Sequence, residues 1–252
     1  MNEAYVISRN VHHITTIEFF HPQSNSLPGK MLDDLANAIL HSGEDKECHV
    51  IILRSGGEKS FCAGASFDEL SVIKDKEEGL KFFSGFAKVI NAMRTCPKFI
   101  IGRIQGKCVG GGVGLAASVD YAIATEKAEI KLSELAVGIG PFVVGPAVER
   151  KMGLAAFSQL SIDSSSWRSA EWAAVKGLFA EVYENIEEVD AAVNRLSQTL
   201  ASSSLEAMAE IKKICWNGTD HWNELLTERA AISGRLVLSD FTRNAIAKFK
   251  KS

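Results

Sequence analysis

The 252-residue chain reads as an α/β protein whose first part alternates strands with helices and whose last part is helical. Three observations lead there. Up to about residue 143, short runs rich in β-branched and aromatic residues alternate with stretches whose apolar residues recur three and four apart. Beyond that point the strand signal nearly vanishes, leaving Leu178-Phe-Ala-Glu-Val182, and helical periodicity continues to the end. With 46% hydrophobic residues, a chain of this length buries a large core without disulfides or metals.

Residues 5–20 read as two strands joined by a tight turn at Arg9-Asn10. Ser26 is the expected cap of a helix with Pro28 in its first turn and Met31, Leu32, Leu35 and Ile39 facing inward. Residues 49–54 form a compact buried strand, followed by the loop Ser55-Gly56-Gly57-Glu58. Leu80, Phe83, Phe86, Ile90 and Met93 mark a second amphipathic helix that ends before Pro97. Residues 98–104 are strand-like. Beyond Gly106 come a glycine cluster, a short helix over 113–119, and short strands at 121–124 and 129–132. Ser202-Ser203-Ser204 and Thr219-Asp220 read as helix starts. No internal repeat is detectable. The boundary is placed at residue 195, giving a core of residues 1–195 and a helical region of residues 196–252.

Composition excludes several function classes. Lys and Arg number 28 against 31 Asp and Glu, a formal charge of −3, and no basic block provides a footprint for nucleic acid. Lys248, Lys250 and Lys251 read as a solvated helix end. The longest uncharged stretch, 135–148, is broken by Gly138, Gly140, Pro141, Gly145 and Pro146, so no membrane helix is expected. The start, Met1-Asn2-Glu3-Ala4, lacks a basic segment followed by an apolar one, so no secretory signal is expected and the cytoplasm is the expected compartment. Cys48, Cys62, Cys96, Cys108 and Cys215 are odd in number with no C-x-x-C spacing, as expected of reduced thiols. His12, His13, His21, His41, His49 and His221 show no ligand spacing, so no metal is expected. Trp167, Trp172, Trp216 and Trp222 read as core or subunit-contact aromatics.

Two segments place backbone amides where an anion can sit. Phe61-Cys-Ala-Gly-Ala-Ser-Phe67 follows a strand and loop, and Gly110-Gly-Gly-Val-Gly114 opens a helix. Glycines allow positive φ and close backbone approach, while the helix aims unpaired N–H groups and its positive dipole end at the loop. A phosphate loop lacks its G-x-x-x-x-G-K-[ST] spacing here. An oxyanion hole and a purely structural turn both remain open on the glycines alone.

Read together, Phe61-Cys-Ala-Gly-Ala65, Ile104-Gln-Gly106, Gly110-Gly-Gly112, Asp120 and Ser133-Glu-Leu135 with Gly138-Ile139 resemble the crotonase (enoyl-CoA hydratase/isomerase) superfamily. The resemblance extends to His21-Pro22 and Asn25-Ser26-Leu27 and to the helical last third. It implies a spiral of ββα repeats with a helical C-terminal trimerisation region, acting as a homotrimer or dimer of trimers. It implies acyl-CoA substrates and no separate cofactor, coenzyme A being part of the substrate. The N–H groups of Ala65 and Gly111 would hold the thioester oxygen, and Ala63, Gly64, Ser66, Phe67, Gly110 and Pro141 would contact the CoA ester. An enolate concentrates charge on that oxygen, and losing one such donor costs ~3–4 kcal/mol of transition-state stabilisation.

Hydratases of this family often carry two glutamates, one of them two residues beyond the glycine triplet. Here that position is Gly114. The second matches Glu134, whose neighbours Leu132, Leu135, Val137 and Ile139 should raise its pKa by desolvation. The alternative is a glutamate that merely helps start the helix after Ser133. Chemically, one carboxyl suits the 1,3 proton transfer of an isomerase, whereas resemblance to branched-chain, methylglutaconyl-type hydratases favours hydration or dehydration. Gly140-Pro-Phe-Val-Val-Gly145 replaces a glycine-rich stretch and should reshape the acyl pocket, unless it is a packing turn. Asp68 and Glu69 read as the acidic first turn of a helix, with an auxiliary catalytic role as the alternative. The expected activity is that of an enoyl-CoA hydratase/dehydratase, with a Δ3-Δ2 enoyl-CoA isomerase and a catalytically degenerate CoA-binding protein as alternatives.

Overall fold

An N-terminal hairpin forms the edge of a six-stranded sheet. The computed structural model describes residues 3–249. Strands β1 (Tyr5–Val11) and β2 (Ile14–Phe20) pair antiparallel in a register that leaves His12 and His13 as the turn. Both histidines have positive φ, 51° and 67°, as a two-residue primed turn requires. The expected break at Arg9-Asn10 is therefore a correction: these residues pair with Thr16 and Thr15 inside the ladder.

Strands β3 (Val50–Ser55), β5 (Phe99–Ile104), β7 (Tyr121–Thr125) and β9 (Glu181–Tyr183) extend the sheet in parallel, in the order β1-β2-β3-β5-β7-β9. A second parallel sheet holds β4 (Ser60–Cys62), β6 (Lys107–Val109) and β8 (Ile130–Lys131). A strand of the large sheet, a strand of the small sheet and then helix thus follow one another three times along the chain. The central strands β3, β5 and β7 are buried on both faces, which explains the unbroken apolar run in β3. Ile51 and Leu53 enter the main core, whereas Val50 and Ile52 join Ile101 and Ile123 under α7 (Ile186–Ala201). Residue 195 lies inside this helix.

Helix α1 (Gly29–Glu44) buries Met31, Leu32, Leu35 and Ile39. Its N-terminus is not capped by Ser26, whose hydroxyl instead lies 3.2 Å from His21 Nδ1. The first helical amide, Gly29 N–H, donates to Glu69 Oε2 at 2.7 Å, so a carboxylate from a distant segment supplies the cap. Glu69 belongs to α2 (Phe67–Leu70), and α3 (Lys76–Thr95) follows, capped by Asp75. Helix α4 (Gly111–Ser118) starts two residues before the expected 113.

The rest is α5 (Gly145–Ile162), broken at Gly153 (φ 81°), α6 (Ala170–Val175), then α8 (Leu205–Cys215), α9 (Trp222–Leu236) and α10 (Asp240–Phe249). Ser204 caps α8, whereas α9 begins after Thr219-Asp220, at Trp222. Helix α9 lies along α3 with backbones in contact: a Cβ built on Gly79 would stand 2.7 Å from Gly234 Cα. Asp120 ties α8 to the sheet by accepting from Ile100 N–H (2.8 Å), Lys212 Nζ (2.8 Å) and Trp216 Nε1 (2.9 Å). Trp216 and Trp222 are buried edge-to-face, Trp172 packs against the core, and Trp167 lies under Lys107 and Lys131. All five cysteines are free, and only Cys215 among them is exposed. Among the described residues no helix is long and apolar enough to cross a membrane, and no His/Cys/Asp/Glu group is placed to hold a metal. Lys248 lies in the last turn of α10, and Lys250 and Lys251 lie outside the described residues.

Candidate active site

Three loops meet at the C-terminal ends of the short strands. The segment after β4 turns at Gly64, whose φ of +86° suits glycine. A Cβ there would lie 2.8 Å from Val109 O and 3.2 Å from Gly111 N, so the absence of a side chain lets the two loops touch. Gly110, at φ 53°, brings the backbone against the third loop: a Cβ on it would stand 2.9 Å from Glu134 Oε1.

The Ala65 segment is laced to residues 24–27. Ala63 N–H donates to Ser24 O (3.2 Å), Leu27 N–H to Gly64 O (2.8 Å) and Ser66 N–H to Leu27 O (3.4 Å), a parallel bridge between Leu27 and Ala65. In this pattern the flanking groups are paired and the Ala65 N–H is not. Gly111 opens α4, where the first N–H groups have no intrahelical acceptor. Among the described residues neither the Ala65 nor the Gly111 N–H has an intramolecular partner.

Glu134 starts a 3₁₀ turn (Glu134–Val137) that Gly138 closes at φ 79°. Ser133 makes no capping bond with its side chain. Glu134 retains some exposure as a residue, but its Oε2 is buried without a hydrogen-bond partner. Burial pushes the carboxyl up from 4.5 to about 7, opposed only by its own backbone N–H.

These groups line a cleft of about 610 Å³, its open mouth included. Of the expected site residues, Ala63, Gly64, Ala65, Phe67, Gly110, Gly111, Glu134 and Pro141 line it together. Ser66 does not. It is buried, and its hydroxyl accepts from Glu69 N–H (3.4 Å) as the cap of α2. Asp68 and Glu69 also lie away from the cleft, Asp68 accepting from Gln23 Nε2 (2.9 Å) and Glu69 capping α1. The remaining walls are mostly apolar: Leu70, Phe83, Phe86, Val137, Ile139, Phe142, Val143 and Val144. Among the described residues Glu134 is the one ionisable side chain in the lining, and Ser133 and Ser233 supply the hydroxyls.

The stretch expected to reshape the acyl pocket does line the cleft, Val144 included, whereas sequence reasoning missed Ser233. Ser233 carries no local signal, because it reaches the cleft only through the packing of α9 on α3. Val144 explains Gly114. A Cβ at Gly114 would lie 2.4 Å from Val144 Cγ1, so the space beside α4 is filled from the next loop. Phe86 likewise requires glycine at 111, where a Cβ would come within 2.2 Å of its ring.

The family model described as enoyl-CoA hydratase/isomerase matches residues 9–245. Carnitinyl-CoA dehydratase of Salmonella enteritidis is 29% identical over 214 residues, covering 85% of this chain and 80% of that protein. Mitochondrial methylglutaconyl-CoA hydratase of Rattus norvegicus is 33% identical over 172 residues, 68% of this chain and 54% of that protein, so the match spans about half of the rat enzyme. In fold, an enoyl-CoA hydratase from Bacillus halodurans superposes with a TM-score of 0.89 at 20% identity, covering 97% of this chain and 99% of that one. With the family model matched from β1 to α10, the chain belongs to the enoyl-CoA hydratase/isomerase family, the crotonase superfamily.

Proposed function

We propose that the chain is an enoyl-CoA hydratase/dehydratase in which Glu134 is the single acid/base and the amides of Ala65 and Gly111 hold the thioester oxygen. The observation that carries this reading is a carboxyl whose Oε2 is buried without a partner in an apolar cleft, beside two unpaired N–H groups, with burial pushing its pKa up to about 7. In the dehydration direction, ionised Glu134 takes the proton from the carbon next to the thioester. The electron pair moves onto the carbonyl oxygen, where the two N–H groups stabilise the enolate. The enolate then collapses to the double bond, the bond to the 3-hydroxyl breaks, and Glu134 returns its proton to the departing oxygen as water. Hydration is the reverse. A pKa near neutrality keeps both protonation states accessible during the cycle. Coenzyme A enters as part of the substrate and no other cofactor takes part. Similarity to a carnitinyl-CoA dehydratase and a methylglutaconyl-CoA hydratase supports the lyase direction.

A second reading, an enoyl-CoA isomerase, is favoured by Val144. It closes the space over Gly114, and among the described residues no second carboxylate lines the cleft. Moving a double bond needs only one base that removes and returns a proton.

Straight, branched and 3-enoyl CoA esters incubated in deuterated water, with products followed by mass, separate the readings. Added water supports the hydratase, and bond migration with exchange but no added water supports the isomerase. No reaction with any ester would favour a degenerate CoA-binding protein. Assembly as a homotrimer or dimer of trimers belongs to the same reading, supported by the exposed Leu154, Ile162 and Ile214. Light scattering of the purified chain tests it.

A further inference from the structure

Asn25 adopts a left-handed backbone conformation (φ 58°), directly after Ser24 in the same region (φ 54°), and is 4% exposed. Consecutive non-glycine residues at positive φ persist only where their surroundings hold them. The Asn25 carboxamide is what holds this turn. Its Oδ1 accepts from His21 N–H at 2.9 Å, and its Nδ2 donates to Gly56 O and Ser60 O, both at 2.8 Å. One side chain thereby closes the turn after β2 and holds the β3–β4 connection at its start, Gly56, and at the first residue of β4, Ser60.

The adjoining backbone grips the next segment. Ser24 O and both backbone groups of Leu27 bind Ala63, Gly64 and Ser66, leaving Ala65 suspended between them. The height of the Ala65 amide above the cleft is therefore set by residues 24–27, and their path is set by the Asn25 carboxamide. We infer that Asn25 is a positioning residue for the Ala65 oxyanion donor. The inference rests on the proposed role of Ala65 and Gly111.

A misplacement of about 1 Å at a reacting centre costs on the order of 10²-fold in rate. Asn25→Ala and Asn25→Gly should therefore lower kcat on the order of 10²-fold while KM for the CoA ester changes only a few-fold. The glycine variant keeps the positive φ free of strain, so a loss shared by both belongs to the carboxamide. Asn25→Asp keeps the acceptor but turns a carboxylate toward two carbonyl oxygens, and should lose at least as much.

The decisive readout is the near-ultraviolet band of a bound, aryl-conjugated enoyl-CoA ester, which moves to the red when its carbonyl is polarised. It is read in a Glu134→Gln background so that the ester persists. With Asn25 present the band should shift, and in the Asn25 variants the shift should shrink. Asp190→Asn, which weakens the Arg103–Asp190 pair on the far side of the sheet, controls for general destabilisation and should leave band and kcat unchanged. No shift with Asn25 present would defeat the oxyanion reading itself. A full shift retained in Asn25→Gly, or a rise in KM at unchanged kcat, would overturn the role of Asn25 alone. So would failure of every Asn25 variant to fold while Asp190→Asn folds, since Asn25 would then serve the fold.

Discussion

Replacing Glu134 by Gln should make the protein less active and more stable, the second by an amount that depends on pH. Folding moves the carboxyl from its ordinary 4.5 to about 7, because Oε2 is buried without a partner. Between those values the folded chain holds a proton that the unfolded chain has released. Stability therefore falls as pH rises from about 4.5 to about 7 and is level on either side. At 1.36 kcal/mol per unit, the fall has a ceiling of about 3 kcal/mol, which water reaching the half-buried residue lowers. Glutamine has the shape of the protonated acid and does not titrate. Wild type and variant should thus be equally stable near pH 4.5 and diverge to that ceiling by pH 8, the variant being the more stable.

Urea unfolding of both proteins at a series of pH values measures the difference, and other titrating groups cancel in it. Steady-state kinetics should show kcat lower by about 10²–10⁴, the usual contribution of a general acid/base, with CoA-ester binding retained. A stability gap that does not change with pH would refute the buried, uncompensated carboxyl. Near-normal turnover would refute its role.

Gly111→Ala should lower kcat on the order of 10²-fold, since its Cβ would stand 2.2 Å from Phe86 Cε1 and the amide must move; partial recovery in Gly111→Ala/Phe86→Leu would identify the clash as the cause, and an unaffected single variant would refute it. Gly114→Glu should destabilise by about 1–3 kcal/mol or more through overpacking against Val144, with a lowered unfolding midpoint that Val144→Ala partly restores. Equal midpoints for Gly114→Glu with and without Val144→Ala would show that Val144 is not what fills the space. Lys212→Met leaves Asp120 buried without its cation and should cost about 3–5 kcal/mol in thermal unfolding, partly recovered by adding Asp120→Asn; a cost below 1 kcal/mol would mean that water replaces the lysine.

Features with a local cause were legible in the sequence, and those with a distant cause were not. The α3 stripe of Phe83, Phe86, Ile90 and Met93 follows from periodicity, yet nothing in it tells that Phe83 and Phe86 face a cleft. The primed turn was misplaced because two histidines stand where Asn-Gly is the usual signal. Ser26 reads as a cap by type, but the bridge of Leu27 to Ala65 holds its segment elsewhere, and the cap comes from Glu69. Gly114 is visible as a departure from the family pattern, while its cause, Val144, lies in another loop. The apolar context of Glu134 was readable because Val137 and Ile139 are its near neighbours in sequence as well as in the cleft.

The raised pKa of Glu134 is a property of several chain segments together. The 3₁₀ turn contributes Val137 and Ile139 lies just beyond it, α3 contributes Phe83 and Phe86, and α9 contributes Ser233. Helix α9 reaches that position because Gly79 and Gly234 allow its backbone to touch α3. A side chain at either glycine would push the two helices apart and admit water beside the carboxyl. The desolvation that holds its pKa near 7 would weaken, and Glu134 would ionise at lower pH. A carboxylate that ionises more readily gives up its proton earlier but takes one from carbon less well, which in the proposed mechanism would slow the step that forms the enolate. On the proposed role of Glu134, the helical C-terminal region would act on the chemistry through dryness, by closing a wall of the cleft whose charged and amide groups come from the loops of the α/β part.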